Sequence, residues 1–444
     1  MNNNSHLDSE NKTFQRIMDG IETTNESFLI TGKAGTGKST LIRHFIKESK
    51  KKKVILAPTG IAAINIGGQT IHSFFGFPFR PMLKGDEEIR KYPEYSEKHK
   101  IIKAMDTLII DEISMIRADI LDAIDYSLRI NGGNAALPFG GKQIILVGDL
   151  FQLEPVVNNT DVEHALFNGY YNSHYFFSAH CLKEMNLHCL ELKKIYRQTD
   201  KNFISILNQI RLNIADWDTI EFLNERYKPD FKFSENDFSI TLCTKNQVAS
   251  SINDLRLEKI QSPEYLYQGV ITDDFSLKNL PTELHLILKE GAQVLFIKNS
   301  MDGSYVNGTI AKVNKLSPEG IEVVLADGKI IEVKPETWEN KSFVWDRITQ
   351  KISSKTLGTF KQYPLKLAWA ITIHKSQGMT FDEVVIETSN GAFAHGQMYV
   401  ALSRCRTLEG ITLIQKIRPR DIIVDERVKE YAQKEFIDSD LFSL

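Results

Sequence analysis

GKAGTGKS, residues 32–39, is the stretch on which the reading of this chain turns. Glycines at 32, 35 and 37 let the backbone curl so that successive N–H groups converge on phosphate oxygens, and a following helix adds its positive end. Gly35, Thr36 and Gly37 then line the phosphates, Lys38 reaches the β- and γ-phosphates of ATP, and the Ser39 hydroxyl reaches magnesium, with Thr40 beside it. The octapeptide also occurs in unrelated chains, so its setting matters. Here the apolar Phe28, Leu29 and Ile30 precede it as a strand, and Leu41, Ile42, Phe45 and Ile46 recur on one face of a helix that follows.

Outward from this loop, SFLITG, VILAPTG, TLIIDE and QIILVGD alternate with helical patterns, the mark of a parallel sheet wrapped by helices. A polar stretch from about Arg80 to Lys100 interrupts the series and predicts a small inserted subdomain. The second half restarts the α/β pattern with FSITLCT and resumes it with LAWAITIHKSQG, EVVIET and GITLIQK. Between them, residues 284–350 read as short strands with turn signals, Asp327-Gly328 the strongest, and predict a small β-barrel. The charged segment after Val424 reads as helical.

The chain has 444 residues, 42% of them hydrophobic, which is enough for about three domains. It carries no apolar run of the ~18 residues a membrane span needs, and MNNNSHLDSENK lacks the apolar stretch of a secretion signal, so the expected location is cytoplasmic. The compact length points to a bacterial or viral source, without long extensions for targeting. Cys181, Cys189, Cys243 and Cys405 have no paired spacing and read as reduced packing residues. A net charge of −3 gives no global basic signature, so any nucleic-acid contact must be a local channel. The run Lys50–Lys53 reads either as a solvated helix terminus or as a patch facing nucleic acid.

LIIDEIS places Asp111 and Glu112 at the end of an apolar strand, where a P-loop hydrolase needs two carboxylates: Asp111 to hold magnesium, Glu112 to orient and deprotonate water. LVGDLFQLEP ends another strand and would set Asp149 and Gln152 beside the γ-phosphate, where Gln152 could sense it.

The ordered set GKAGTGKS, APTGIAA, GGQTIHSFF, LIIDEISM, GDLFQLEP, KIYRQ, LCTKN, AITIHKSQGMT and QMYVALSRCR resembles the motifs of superfamily-one helicases. Within that superfamily it is similar to the petite-integration-frequency (Pif) DNA helicases, relatives of RecD, over about Gln15 to Gly410. The resemblance implies an α/β fold of two RecA-like domains with parallel sheets, a small insertion in the first and a small barrel in the second. On that reading the first domain comprises residues 1–75 and 102–190 with its insertion at 76–101. The second comprises 191–270 and 354–430 with its barrel at 271–353, and 431–444 form a tail. It further implies that Gln15 reads adenine, that Gly378 lies at the nucleotide, and that Arg197 and Arg404 reach across the cleft to the γ-phosphate. The matching single-strand contacts are Pro58, Thr59, Gly60, His72, Ser73 and Phe74 in the first domain. In the second they are Thr244, Asn246, His374, Lys375 and Ser376. Small hydroxyls and backbone donors suit phosphates, and aromatics suit sequence-blind base stacking. The aromatic group Phe74, Phe75, Phe77 and Phe79 reads equally as packing or as part of a strand-splitting wedge.

The resemblance thus implies an ATP- and Mg2+-dependent helicase moving 5′ to 3′ on single-stranded DNA, with forked or structured DNA as substrate, acting as a monomer or multimerising on DNA. Two rivals differ in kind: an ATP-driven switch for a protein partner, whose ATPase would ignore single strands, and a translocase that strips or remodels without parting duplexes.

Overall fold

The apolar runs of the first half form β1 (Ser27–Gly32), β2 (Lys53–Ala57), β3 (Gln69–Thr70), β4 (Thr107–Ile110), β5 (Gln143–Val147) and β6 (Leu187–Leu192). In this computed structural model, which describes residues 12–158, 160–232, 237–277, 280–300, 302–346, 351–388 and 391–436, the strands lie in the order β3-β2-β4-β5-β1-β6 with every neighbouring pair parallel. Helices cover both faces, so β1, β4 and β5 are buried along their whole length and read as unbroken apolar runs. Those helices are α1 (Lys12–Thr23), α2 (Lys38–Glu48), α3 (Gly60–Ile66), α4 (Ile71–Phe75), α5 (Glu97–Ala104), α6 (Ala118–Ile130) and α7 (Asp161–Ala165).

After α8 (Lys201–Leu212), α9 (Trp217–Asn224), β7 (Ile240–Cys243) and α10 (Asn246–Lys259) the chain enters an antiparallel insertion. It comprises β8 (Glu264–Gln268), β9 (Val270–Asp273), β10 (His285–Lys289), β11 (Gln293–Phe296), β12 (Ile310–Ser317), β13 (Gly320–Leu325), β14 (Ile330–Val333), β15 (Glu336–Asp346), β16 (Lys351–Gln362) and β17 (Leu365–Leu367). The chain then returns to the second α/β unit with β18 (Ala370–Thr372), β19 (Val384–Glu387), α11 (Gln397–Leu402), β20 (Ile411–Leu413) and α12 (Glu426–Glu435). That unit's sheet runs β18-β7-β19-β20, all parallel. Asp327 and Gly328 close the β13–β14 hairpin, with Gly328 at φ 81°, a conformation glycine adopts without strain.

Strand pairing draws the insertion wider than 271–353. β8 pairs with β10, and β16 and β17 complete the antiparallel sheets, so residues 264–270 and 354–367 join the insertion. Likewise β6 runs through the expected boundary at 190 because it pairs with β1. Local rhythm cannot show which sheet a strand enters; the partner decides.

Two long-range contacts set the relation of the parts. The β15–β16 hairpin, 11 and 12 residues long, reaches the first domain. There the Phe343 N–H donates to Gln69 Oε1 at 3.4 Å and the Phe343 ring meets Phe74 edge-on at 6.1 Å. Lys52 sits over the Trp345 ring at 5.3 Å. Helix α12 also crosses back, burying Val428 and Ala432 in the first domain's core and stacking Tyr431 on Phe177 at 4.4 Å. The helical reading after Val424 therefore holds for Glu426–Glu435, and residues 437–444 of the expected tail lie outside the described residues. Among the described residues no helix is long and apolar enough to cross a membrane. All four cysteines are free thiols. Of the lysine run, Lys50 is exposed just past the C-terminal end of α2, whereas Lys51 Nζ donates to Thr24 O and to Gln143 Oε1, and Lys53 Nζ to Ser49 O at 2.7 Å, tying the segment before β2 to its neighbours.

Candidate functional site

The loop from Gly32 leaves β1 at the C-terminal edge of the parallel sheet, where crevices form in open α/β folds. Gly37, at φ 87°, turns the chain into α2, and Gly35, at φ 82°, is required for a second reason. A Cβ on Gly35 would stand 2.5 Å from the Cβ of Arg197, so the KIYRQ segment presses directly on the loop. The Tyr196 N–H donates to Gly35 O at 2.9 Å. Thr36 is buried, with its hydroxyl on Lys33 O at 2.9 Å; Ser39 and Thr40 are exposed in the first turn of α2. The Lys38 ammonium donates to Gly32 O at 2.6 Å and Lys33 O at 3.1 Å. Burial holds its pKa below the ordinary lysine value, against the pull of Asp149 and Glu112.

Asp111 and Glu112 follow directly on the end of β4. Burial and then the neighbouring Glu112 push the Asp111 carboxyl up to about 7. Glu112 is raised too, chiefly by burial, with Lys38 and Arg404 opposing. Its backbone sits in the left-handed region (φ 51°, ψ 47°), uncommon for a residue with a side chain, and its N–H donates to Asp111 Oδ1 at 2.9 Å. Gln152 is buried, and its amide donates to Asp149 Oδ2 at 3.3 Å.

Both arginines border this cleft, Arg197 directly against the loop. Arg404, 1% exposed, donates to Val400 O at 3.0 Å, Ser403 Oγ at 2.9 Å and Ser376 O at 3.4 Å. Arg197 donates to Ser403 O at 3.1 Å, and burial followed by the like charge of Arg404 depresses its pKa. Two like charges held together out of water favour an anion between them. Gln15 is exposed on α1, next to Phe14, whose ring lies 6.0 Å from His44 of α2. Gly378 (φ 76°) is exposed in the turn after Ser376.

Three further residues shape this cleft: Gln198 and Tyr399, which lie inside the motifs but are given no role by the resemblance, and Arg211, which lies outside them. Gln198 donates to Ser403 O at 3.1 Å and Cys405 O at 2.9 Å, fixing the Arg404 turn. Arg211 pairs with Asp149 at 3.2 Å, both side chains at 0% exposure, and Tyr399 bonds Asp149 and the loop. Nothing but the position of Arg211 on α8 hints at its role, and a tyrosine in QMYVAL reads as core.

The expected strand face is only partly a face. Thr59, Ser73, Asn246 and Lys375 are exposed, and Pro58, Gly60, His72, Thr244 and His374 are half-buried. The Thr59 hydroxyl caps α3 by accepting from the Ala62 N–H at 3.2 Å. Burial lowers the pKa of both His72 and His374. Two expected contacts are corrected. Ser376 is fully buried with its hydroxyl on Ile373 O at 2.7 Å, so only its backbone is in play. Phe74 is also fully buried, against Phe75 at 4.8 Å and under Lys98 at 4.0 Å. The aromatic group divides: Phe74, Phe75 and Phe77 are core, while Phe79 is 90% exposed and stacks on His72 at 4.4 Å. Phe74→Ala should therefore cost about 3–5 kcal/mol of stability. Phe79→Ala should change it by less than about 0.5 kcal/mol; equal shifts in thermal unfolding would contradict this division.

Comparison with known proteins agrees with this geometry. A family model described as PIF1-like helicase matches residues 6–218, and one described as UvrD-like helicase C-terminal domain matches 367–409. The ATP-dependent DNA helicase Pif1 of Bdellovibrio bacteriovorus is 32% identical over 92% of this chain and 88% of its own length. The Xenopus laevis ATP-dependent DNA helicase PIF1 is 34% identical over 90% of this chain, which spans 61% of that relative. Bacteroides sp. Pif1 in complex with ADP-AlF4 superposes with a TM-score of 0.89 at 39% identity, covering 97% of each chain. The Bacteroides protein bound to single-stranded DNA, also 39% identical and covering 96% of each chain, scores 0.67, so the arrangement seen here is nearer the former. With loop, carboxylates and paired arginines in one cleft and this similarity running through both halves, the chain belongs to the Pif1-like helicase family.

Proposed function

We infer that this chain is an ATP-dependent DNA helicase that moves 5′ to 3′ on a single strand and opens duplex ahead of it. The observation that carries the reading is the meeting of two domains at one nucleotide loop. Gly35 lies against Arg197, and Arg404 of the second domain and Glu112 of the first each feel the other's charge.

In this reading Gln15 meets the adenine, and the loop N–H groups with Lys38 hold the β- and γ-phosphates. Glu112 takes a proton from the attacking water, Gln152 senses the γ-phosphate, and Arg197 and Arg404 neutralise the charge that spreads over the transferring phosphoryl group. The donor set suits Mg2+: the Ser39 hydroxyl and the Asp111 carboxylate are hard oxygens, and magnesium takes few protein ligands beside phosphates. Held by Ser39 and Asp111, Mg2+ would supply positive charge against the phosphates.

Thr59, Ser73, Asn246 and Lys375 offer exposed donors for a phosphate backbone, and Phe79 offers a ring for an unstacked base. Base–aromatic stacking is worth about 1–3 kcal/mol, so Phe79→Ala should weaken single-strand binding while sparing DNA-free ATP turnover. Alternating grip, driven by closure and parting of the domains around ATP, turns hydrolysis into stepping. We place the protein in the cytoplasm. The deciding experiment is unwinding of duplexes bearing one overhang. A 5′ overhang should support opening and a 3′ overhang alone should not; efficient opening from the 3′ overhang would sink the polarity. An ATPase rate indifferent to single-stranded DNA would favour a partner-binding switch instead.

A further inference from the structure

Asp149 lies at the end of the first domain's β5 and is fully buried, yet two of its partners come from the second domain. Arg211 of α8 donates to its Oδ1 through Nη2 at 3.2 Å and Nε at 3.4 Å, and lies over the Phe151 ring at 4.2 Å. Tyr399 of α11 donates its hydroxyl proton to Oδ2 at 3.1 Å. The same phenol oxygen accepts the N–H of Ala34, inside the phosphate loop, at 2.8 Å. A phenol has one proton to give and lone pairs to receive, so this hydroxyl meets loop and carboxylate at once. Within the first domain, Asp149 also accepts from the Phe151 N–H at 3.2 Å and the Gln152 amide at 3.3 Å.

The other end of the path leads to the strand face. Five residues beyond Tyr399, Arg404 is bonded to Val400 O of the same helix and to Ser376 O. Ser376 follows His374 and Lys375 and is pinned by its own hydroxyl on Ile373 O. A shift of the 374–376 segment is therefore felt by Arg404, by α11 and, through Tyr399, by the phosphate loop. A fully buried ion pair is poor value as a source of stability, since desolvation offsets its attraction. A phenylalanine at 399 would fill the same space. Polar groups at a cleft between domains make sense where the contact must be made and broken in a fixed geometry.

We propose that Tyr399 and Arg211 are positioning residues that clasp Asp149 across the domain cleft, and that this clasp couples occupancy of the strand face to ATP turnover. The inference rests on the helicase reading above. When the domains close, Tyr399 seats Ala34 and Asp149 together, Asp149 orients Gln152, and Arg404 is brought to register over Glu112. When they part, both bonds from Tyr399 are lost, and Asp149 keeps only its first-domain donors.

The test is the ratio of ATPase rate with saturating oligothymidine to the rate without it, for wild type, Tyr399→Phe, Arg211→Met and Arg211→Lys. A ratio does not depend on the fraction of active protein, so a merely structural loss leaves it unchanged. Tyr399→Phe is expected to lower the ratio about tenfold, the size expected for losing a hydrogen bond to a charged group. Binding of a fluorescent ADP should stay within about threefold, because the phosphate-contacting groups remain. Arg211→Lys, which keeps the charge, should retain more of the ratio than Arg211→Met. If one variant does not fold, the remaining ones are read against the same prediction. A wild-type ratio in Tyr399→Phe, or equal ratios for the two Arg211 variants and wild type, overturns the clasp. A wild type that oligothymidine does not stimulate instead overturns the helicase reading on which it rests.

Discussion

Arg404→Ala is expected to bind ATP nearly as well as the unaltered protein and to hydrolyse it at least about a thousandfold more slowly, the lower end of what an arginine supplied to a transferring phosphoryl group contributes. The asymmetry follows from where the residue stands. Loop, Lys38 and Ser39 belong to the first domain, so ground-state binding survives, whereas Arg404 comes from the second and faces Glu112. Arg404 is also a structural residue. Its three hydrogen bonds hold Val400, Ser403 and Ser376, and at about 1 kcal/mol each their loss lowers stability by roughly 3 kcal/mol. Arg404→Lys separates the two roles, since it keeps a cation and most of the stem but loses the planar fork. Single-turnover hydrolysis beside thermal unfolding reads both. Turnover at the unaltered rate in Arg404→Ala would remove the residue from the site.

Lys38→Ala should abolish both hydrolysis and unwinding while leaving ATP-independent strand binding within about threefold. Lys38 is one of two cations, with Arg404, that oppose the burial of Glu112, and it also sees Asp149. Without it the γ-phosphate loses its nearest countercharge, and the carboxylates of the cleft face one another with less relief. The exposed donors proposed to meet the strand, Thr59, Ser73, Asn246 and Lys375, lie on other segments, so an oligonucleotide should still bind when titrated without nucleotide. If strand affinity collapsed with hydrolysis, the loop and the strand face would be one site rather than two coupled ones. Unwinding by the variant would show that the loop is not where the motor is fuelled.

Much of this was open to reading before any tertiary contact was known, and for a local reason. A phosphate loop is a backbone shape dictated by glycines within eight residues, and the flanking strand and helix declare themselves by apolar period, so Gly32–Ser39, Asp111 and Glu112 could be assigned chemistry in place. Arg197 and Arg404 needed motif context, because an arginine on a loop or helix says nothing alone about what it faces. The strand face shows the limit. Phe74 and Phe79 are five residues apart and of the same type, yet one is core and the other 90% exposed, a difference set by α5 and the β15–β16 hairpin rather than by neighbours in the chain. The burial of the Ser376 hydroxyl, bonded to Ile373 O, has the same origin. The insertion's true limits depended on which strand each edge found as partner, and α12, helical by its own pattern, gave no sign that it would return to the first domain. The clasp is the extreme case: Ala34 and Tyr399 lie 365 residues apart, and Arg211 reaches Asp149 across 62. The sequence by itself determined that this chain binds and cleaves a nucleoside triphosphate at a loop on a parallel sheet, since those features obey backbone rules of short range. Which side chains close over that loop, and which stay exposed, was decided only by tertiary structure, because burial and hydrogen-bond partnership belong to pairs of residues that chain order does not bring together.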